Sequence, residues 1–389
     1  MKLIWLLPSF VLIVMFTNLY GQRYAPKFDS LMLSKTNINY FDRVMNAAKS
    51  GNSMSFLYLG YNINARNTMF KATKNLKYLQ QNQEIILAII EAGRNDNTDK
   101  GLTLSWRANS SSPKDRIVVG KEVMLYEGYL FRYVSEYCYI LKSLNGRTQL
   151  TDNLPFMIEA VEFTWEKWYK RLSMTDNIIS GMIGIRAHIG SHWATTSMYM
   201  FKLSKDSKRK KSYEKLFKIY DRSLKNNLKI KFDRDTEYYL WNSTWDIEPY
   251  TNHDKIRRKA VAPTLIQDVA HGNHVIQYII DSYNLSLNEW TLDDIKRLSN
   301  TLKIKIWSEK NMSFSDNIDG SISEIEEGKQ TGWKQSDGWM KLIFYNRDLS
   351  KIYKGYYASN MIFLDKTYYN LQFLANLEYF NFLTQNARY

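Results

Sequence analysis

The sequence predicts an all-α protein built from paired helices, and three observations carry that reading. Apolar residues recur at helical spacing in segment after segment, as in "LKYLQQNQEIILAIIEA" (76–92) and "VMLYEGYLFRYVSEYCYILKSL" (123–144). Prolines number only six, and no stretch rich in Pro, Ser or Gly divides the chain, so residues 22–389 read as one domain. Finally, "MFKATKNLKYLQQ" (69–81) and "MFKLSKDSKRKKSYEKL" (200–216) repeat one theme, running from a helix end through a basic turn into a new helix. A repeating helix hairpin buries its apolar faces against neighbouring copies, which argues for stacked or ringed pairs.

In chain order, residues 1–21 come first. Lys2 precedes an apolar run from Leu3 to Phe16, and small Gly21 follows shortly after. That pattern predicts a secretory signal peptide cleaved before Gln22, because a membrane span needs roughly 20 apolar residues. No cysteine lies at the cleavage site, so lipid anchoring is not expected. The single cysteine, Cys138, has no partner for an internal disulfide, and its apolar setting predicts a buried, inert thiol. Stability therefore has to come from the hydrophobic core.

Two early helices are those already quoted. "NLPFMIEAVEFTWEKWYKRL" (153–172) is the next, with Asn153 as cap and Pro155 in the first turn. Further helices are expected at 187–203, 209–226, 272–284, 291–306, 336–345 and 361–384. The span 225–271 differs, being rich in Trp, Asn and Asp with little periodicity, and long irregular segments often carry function.

The formal charge is +14, and the chain holds 28 Tyr and 11 Trp. A basic, aromatic surface suits an anionic partner. No nucleic-acid-binding motif is present, and the Lys-rich 202–215 stretch reads as a solvated turn. An acidic polysaccharide fits better, since aromatic faces pack on sugar rings while Arg and Lys pair with carboxylates. No cofactor is expected.

Chemistry concentrates in three places. In "RAHIGSHWATTSMYMF", His188 and His192 share one helix face at a spacing of four. The Glu of a zinc-protease motif is absent, with Ile189 in its place, so no metal site is expected. In "DRDTEYYLWNSTWD" (233–246), Glu237, Tyr239, Trp241 and Asn242 crowd a non-helical segment with the groups a sugar subsite needs, although an edge strand would explain them equally well. In "QDVAHGNHVIQYIIDSY" (267–283), Val275, Ile276, Ile279, Ile280 and Tyr283 form a buried stripe, and His271, Asn273 and His274 sit at the helix mouth. Unpaired N–H groups at a helix start favour anions, and Gly272 would let backbone approach a ligand.

These segments, together with "LYEGYLFRYVSEY" and "DGWMKLIFYN", resemble the (α/α)-barrel alginate and glucuronan lyases grouped as polysaccharide lyase family 38. The resemblance implies a secreted (α/α) toroid that cleaves a uronic-acid polymer by β-elimination. It also implies roles: Asn273 and His274 as carboxylate neutraliser and base, Tyr239 as proton donor and acceptor, and His192 and His271 as further catalytic groups. Arg66, Arg132, His188, Glu237, Trp241 and Asn242 would then line the substrate subsite. A glycoside hydrolase using two acids among Asp246, Asp268 and Glu237 is the first alternative, and a non-catalytic glycan-binding protein the second.

Overall fold

The computed structural model describes residues 23–33, 39–94, 102–109, 117–172, 182–184, 186–244, 265–322, 331–359 and 367–386. Within them run thirteen α-helices. They are α1 (Ala25–Met32), α2 (Tyr40–Lys49), α3 (Phe56–Thr73), α4 (Lys77–Gly93), α5 (Met124–Ser143), α6 (Leu154–Leu172) and α7 (Ala187–Leu203). The remainder are α8 (Ser207–Asn227), α9 (Val269–Leu285), α10 (Leu292–Thr301), α11 (Gly338–Lys341), α12 (Leu349–Ser359) and α13 (Thr367–Asn386). Strands β1 (Lys229–Asp233) and β2 (Thr236–Leu240) form an antiparallel hairpin, and β3 (Trp307–Ser308) pairs with β4 (Ser313–Phe314).

From α3 onward, helices of two kinds alternate. The odd-numbered α3, α5, α7 and α9 are buried all round: Leu59–Phe70, Glu127–Cys138, Gly190–Met200 and Gly272–Ser282 each run without an exposed residue. The even-numbered α4 and α8 bury one stripe and leave the other to water, as amphipathic surface helices do. Packing follows the same division. Each of α4, α6, α8 and α10 contacts the odd-numbered helix before it. The odd-numbered helices contact one another in succession, α3 on α5, α5 on α7, α7 on α9, α9 on α11, α11 on α13, and α13 again on α3.

Local sequence explains the joints. Lys74 adopts a left-handed conformation at the end of α3 and turns the chain into α4. Asp206 caps α8 by accepting from the backbone N–H groups of Lys208 and Arg209, and Thr291 and Asp294 form a reciprocal capping box on α10. The predicted helices at 76–92, 123–144 and 187–203 coincide with α4, α5 and α7. Asn153 does not cap α6, because a 3₁₀ turn over Gln149–Asn153, capped by Thr148, leads into it. The expected helix at 336–345 holds only four α-helical residues before a 3₁₀ turn, and that at 291–306 ends in a wider turn at Leu302–Ile306. The irregular 225–271 span contains the β1–β2 hairpin, and residues 245–264 of it lie outside the described residues, as does the predicted leader. No described helix is long and apolar enough to cross a membrane. Cys138 is fully buried, and that burial pushes its thiol well above the ordinary range.

Candidate functional site

The fully buried helices carry polar residues at helical spacing, a pattern that only a shared interior can satisfy. On α3 these are Tyr61, Asn64 and Thr68; on α5, Tyr129, Arg132, Tyr133 and Glu136. On α7 they are His188 and His192, and on α9 His274, Gln277 and Asp281. Buried polar atoms favour partners, and many of these side chains find one on a neighbouring helix. Asp337, one residue before α11, is the hub. Its carboxylate accepts from the Tyr133 hydroxyl at 2.6 Å, from Asn64 Nδ2 at 2.9 Å and from His274 Nδ1 at 3.2 Å, and Lys341 Nζ stands 4.0 Å away.

Beside this hub, four of the five histidines gather. The His192 and His274 rings are 4.8 Å apart between centroids, each edge-on to Tyr129 at 5.1 Å. The His188 and His271 rings lie 4.2 Å apart between centroids, tilted by 30°. Partners assign the proton positions. An ionised carboxylate only accepts, so Asp337 takes the Nδ1–H of His274 and leaves its Nε2 lone pair open as a base. A guanidinium only donates, so Arg132 Nη1 at 3.1 Å makes His192 Nδ1 the acceptor and places the proton of the neutral ring on Nε2. Two neighbouring imidazoles thus hold opposite tautomers.

Electrostatics keeps them neutral. Burial, with the neighbouring histidines, pushes His188 and His192 well below the ordinary histidine value, Arg132 adding to the effect on His192. Burial also lowers His274, against the opposing pull of Asp337. Burial alone would raise the Asp337 carboxyl, but the His274 bond and the charges of Arg132 and Lys341 outweigh it and hold it below the usual carboxylate range. Burial pushes the hydroxyls of Tyr61, Tyr129 and Tyr133 far up, so they stay protonated. At neutral pH the site therefore offers an imidazole base and phenol donors, with no tyrosinate.

A cleft of about 440 Å³ opens on this centre. His274 and His271 reach it from α9, Tyr61 from α3 and Tyr369 from α13, while Arg186 and Lys334 add two cations. Asp268 also lines it: its carboxylate caps α9 through the His271 backbone N–H at 2.8 Å and bonds His271 Nδ1 at 2.9 Å. Among the described residues no three His, Cys, Asp or Glu side chains converge as a metal site.

Several expected residues belong elsewhere. Asn273 does not face the cleft. Its side chain donates to the Lys334 carbonyl and accepts from the backbone N–H groups of Gly338 and Trp339 at 3.1 Å each, so it caps α11. Gly272 is buried and packs against Trp339, where a Cβ would meet the indole ring at an ordinary contact distance of 3.4 Å. Tyr239 is tied by its hydroxyl to Asp294 at 2.7 Å, with Arg297 beside it, and Glu237 pairs with Arg297 at 2.6 Å. The structure does not bring either to the histidines. Arg66 is buried against Asn62, Gln81 and Met32, where desolvation brings its guanidinium down to about 10. Trp241 stacks on Trp339 at 5.9 Å behind the cleft, and Asn242 contributes backbone beside it, pairing with Ile266. Arg132, His188, His192, His271 and His274 are the expected residues that do meet.

Sequence reasoning passed over Asp337, Tyr61, Tyr129, Arg186 and Tyr369. Asp337 opens the quoted "DGWMKLIFYN", Tyr129 lies within "LYEGYLFRYVSEY", and Arg186 immediately precedes the first histidine. Their one sequence signal is a polar or aromatic residue at helical spacing inside a segment with no solvent face. Comparison with family models, with functionally described proteins and with solved structures finds no match to this chain.

Proposed function

We propose that the protein is a secreted polysaccharide lyase of (α/α)-toroid architecture that cleaves a uronate-containing anionic glycan by β-elimination. The toroid reading rests on the closed succession of contacts among the odd-numbered helices, with the even-numbered ones outside. The observation that carries the activity is the pair of oppositely protonated histidines at a cleft whose wall holds two cations and two tyrosines.

The chemistry runs as follows. A uronate carboxylate pairs with Arg186 and Lys334, which disperses the charge that develops when the C5 proton leaves. His274 Nε2 takes that proton, and the resulting imidazolium is stabilised by Asp337 through Nδ1. The C5–H electron pair becomes the C4–C5 double bond as the C4–O bond breaks. Tyr61 or Tyr369 donates its phenolic proton to the leaving oxygen. His192, locked by Arg132, sits beside His274, and burial together with the charges of Arg132 and His271 disfavours the resting protonation of His274. Hydrolysis has less support: Asp268 is committed to His271, Glu237 to Arg297, and Asp246 lies outside the described residues.

The test is to incubate the mature protein with alginate, glucuronan and other uronans and follow the ultraviolet absorbance of the unsaturated product. Reducing ends without that absorbance would establish hydrolysis instead, and retained binding with neither signal would establish a binding protein. His274→Ala is expected to abolish product formation while the fold is retained, and full turnover in that variant would remove His274 from the mechanism.

A further inference from the structure

The same buried helices enclose a second cleft, of about 390 Å³, toward their other ends. On α9 it is reached at Gln277 and Asp281, and Asp281 lies about 10 Å along the helix from His274 at 1.5 Å per residue. Lys71 enters from α3, Lys341 from α11, and Tyr345 and Tyr379 complete the wall.

The polar groups here are only partly matched. Gln277 Nε2 donates to Asp281 Oδ1 at 2.7 Å, which fixes the amide and leaves its Oε1 buried without a partner among the described residues. An unmatched buried acceptor is costly, and a ligand hydroxyl would supply the missing donor. Lys71 bonds Glu136 at 2.5 Å and Lys341 bonds Asn64 at 3.2 Å, so each ammonium keeps further donors for another acceptor. Asp281 is the one carboxylate on the wall itself, while Glu136 and Asp337 stand behind the two ammonium groups as their counter-charges. Phe344, packed edge-on to Tyr379 at 4.9 Å, adds aromatic surface of the kind that sugar rings lie against. The network borders a cavity of ligand size.

We propose that this second cleft binds a small polyhydroxylated carboxylate of monosaccharide size, a sugar acid, with Lys71 and Lys341 on its carboxylate and Gln277 and Asp281 on its hydroxyls. The assignment uses the groups of this cleft alone and does not rest on elimination chemistry at the histidines.

The experiment is a calorimetric titration of the full chain with glucuronate, with glucose as the uncharged control. Glucuronate is expected to bind with a Kd of about 1 mM or tighter and glucose at least about tenfold more weakly. Leu383→Trp places an indole at the cleft wall and is expected to remove that binding. Gln277→Met deletes the unmatched acceptor at similar volume and is expected to weaken binding about tenfold. Thermal unfolding of each variant confirms the fold, and should Leu383→Trp not fold, Gln277→Met decides. Absence of saturable glucuronate binding overturns the proposal, as does binding unchanged in both variants. Binding lost on His271→Ala but retained in Leu383→Trp would place the sugar in the histidine cleft and overturn it equally. Uronan cleavage is read separately and is expected to be unaffected by Leu383→Trp.

Discussion

Replacing Asp337 by Asn changes one atom and removes one charge, and the structure sets the size of the effect. The carboxylate is wholly buried and accepts from Tyr133, Asn64 and His274 while facing Lys341 and the charge of Arg132. The carboxamide can still accept on one side. On the other it presents an NH₂ to a group that is itself a donor, and Arg132 and Lys341 lose their counter-charge. Breaking a buried pair by removing one partner costs about 3–5 kcal/mol, which for a domain of this size lowers Tm by roughly 4–6 °C. The pH dependence has a definite sign. Asp337 is held below its unfolded-state value, so its contribution is complete above about pH 5 and fades as pH falls through the acid range. The stability gap between wild type and D337N should therefore be constant at neutral pH and narrow on acidification. If the lyase reading holds, the variant also frees the His274 tautomer and should lose about 10²–10⁴ in kcat on the cleaved uronan, by analogy with carboxylate–histidine pairs elsewhere. Calorimetric unfolding across pH, with turnover measured well below the variant's Tm, reads both. An unchanged Tm would refute the argument that Asp337 balances the buried cations.

Four further outcomes follow. Because burial holds His274 below its ordinary value, the acid limb of the kcat/KM profile should be centred below the 6.5 of a free histidine; a limb centred above that value would count against His274 as the base. Asn273→Ala should destabilise by about 2–4 kcal/mol in denaturant titrations, since two buried N–H groups lose their acceptor, and an effect below about 1 kcal/mol would contradict the capping role. Tyr239→Phe should leave turnover within about twofold and cost about 1 kcal/mol of stability, because its hydroxyl serves Asp294; lost turnover would return Tyr239 to the site. Asp281, raised by burial and by Glu136 to about 6, opposes folding when ionised, so Asp281→Asn should stabilise by up to about 3 kcal/mol above that pH, the gain vanishing below about pH 4 where both states are protonated.

The fold was legible where helices have a solvent face. Segment 76–92 alternates apolar and polar at a period that water imposes, and it falls one residue from α4. Helix α3 left no such trace: Leu59–Phe70 is buried all round, and its polar residues answer to the interior, so "LGYNINARNTMF" shows no amphipathic stripe. The site was legible through the histidines, whose rarity and spacing single them out, and through Arg132 on the same interior. What stayed hidden was pairing across long separations. Nothing near Asp337 announces that it serves His274, 63 residues earlier, or Tyr133, 204 residues earlier. The aromatic segment 233–246 misled for the opposite reason: side chains dense in hydrogen-bonding groups were already committed to one another and to α10 across the β1–β2 hairpin.

The Asn273 cap has a consequence for motion. The residue that ties down the first turn of α11 is the chain neighbour of His274, and Gly338 lies so close to α9 that any Cβ there would strike the Asn273 carbonyl. α9 and α11 therefore cannot slide past one another without breaking, at once, the two buried bonds that Asn273 accepts from Gly338 and Trp339. The His274–Asp337 geometry rides on a single rigid body, and breathing of the cleft is left to the walls that carry Tyr61 and Tyr369. In native-state hydrogen exchange, α9 and α11 would open as one cooperative unit, late, and together.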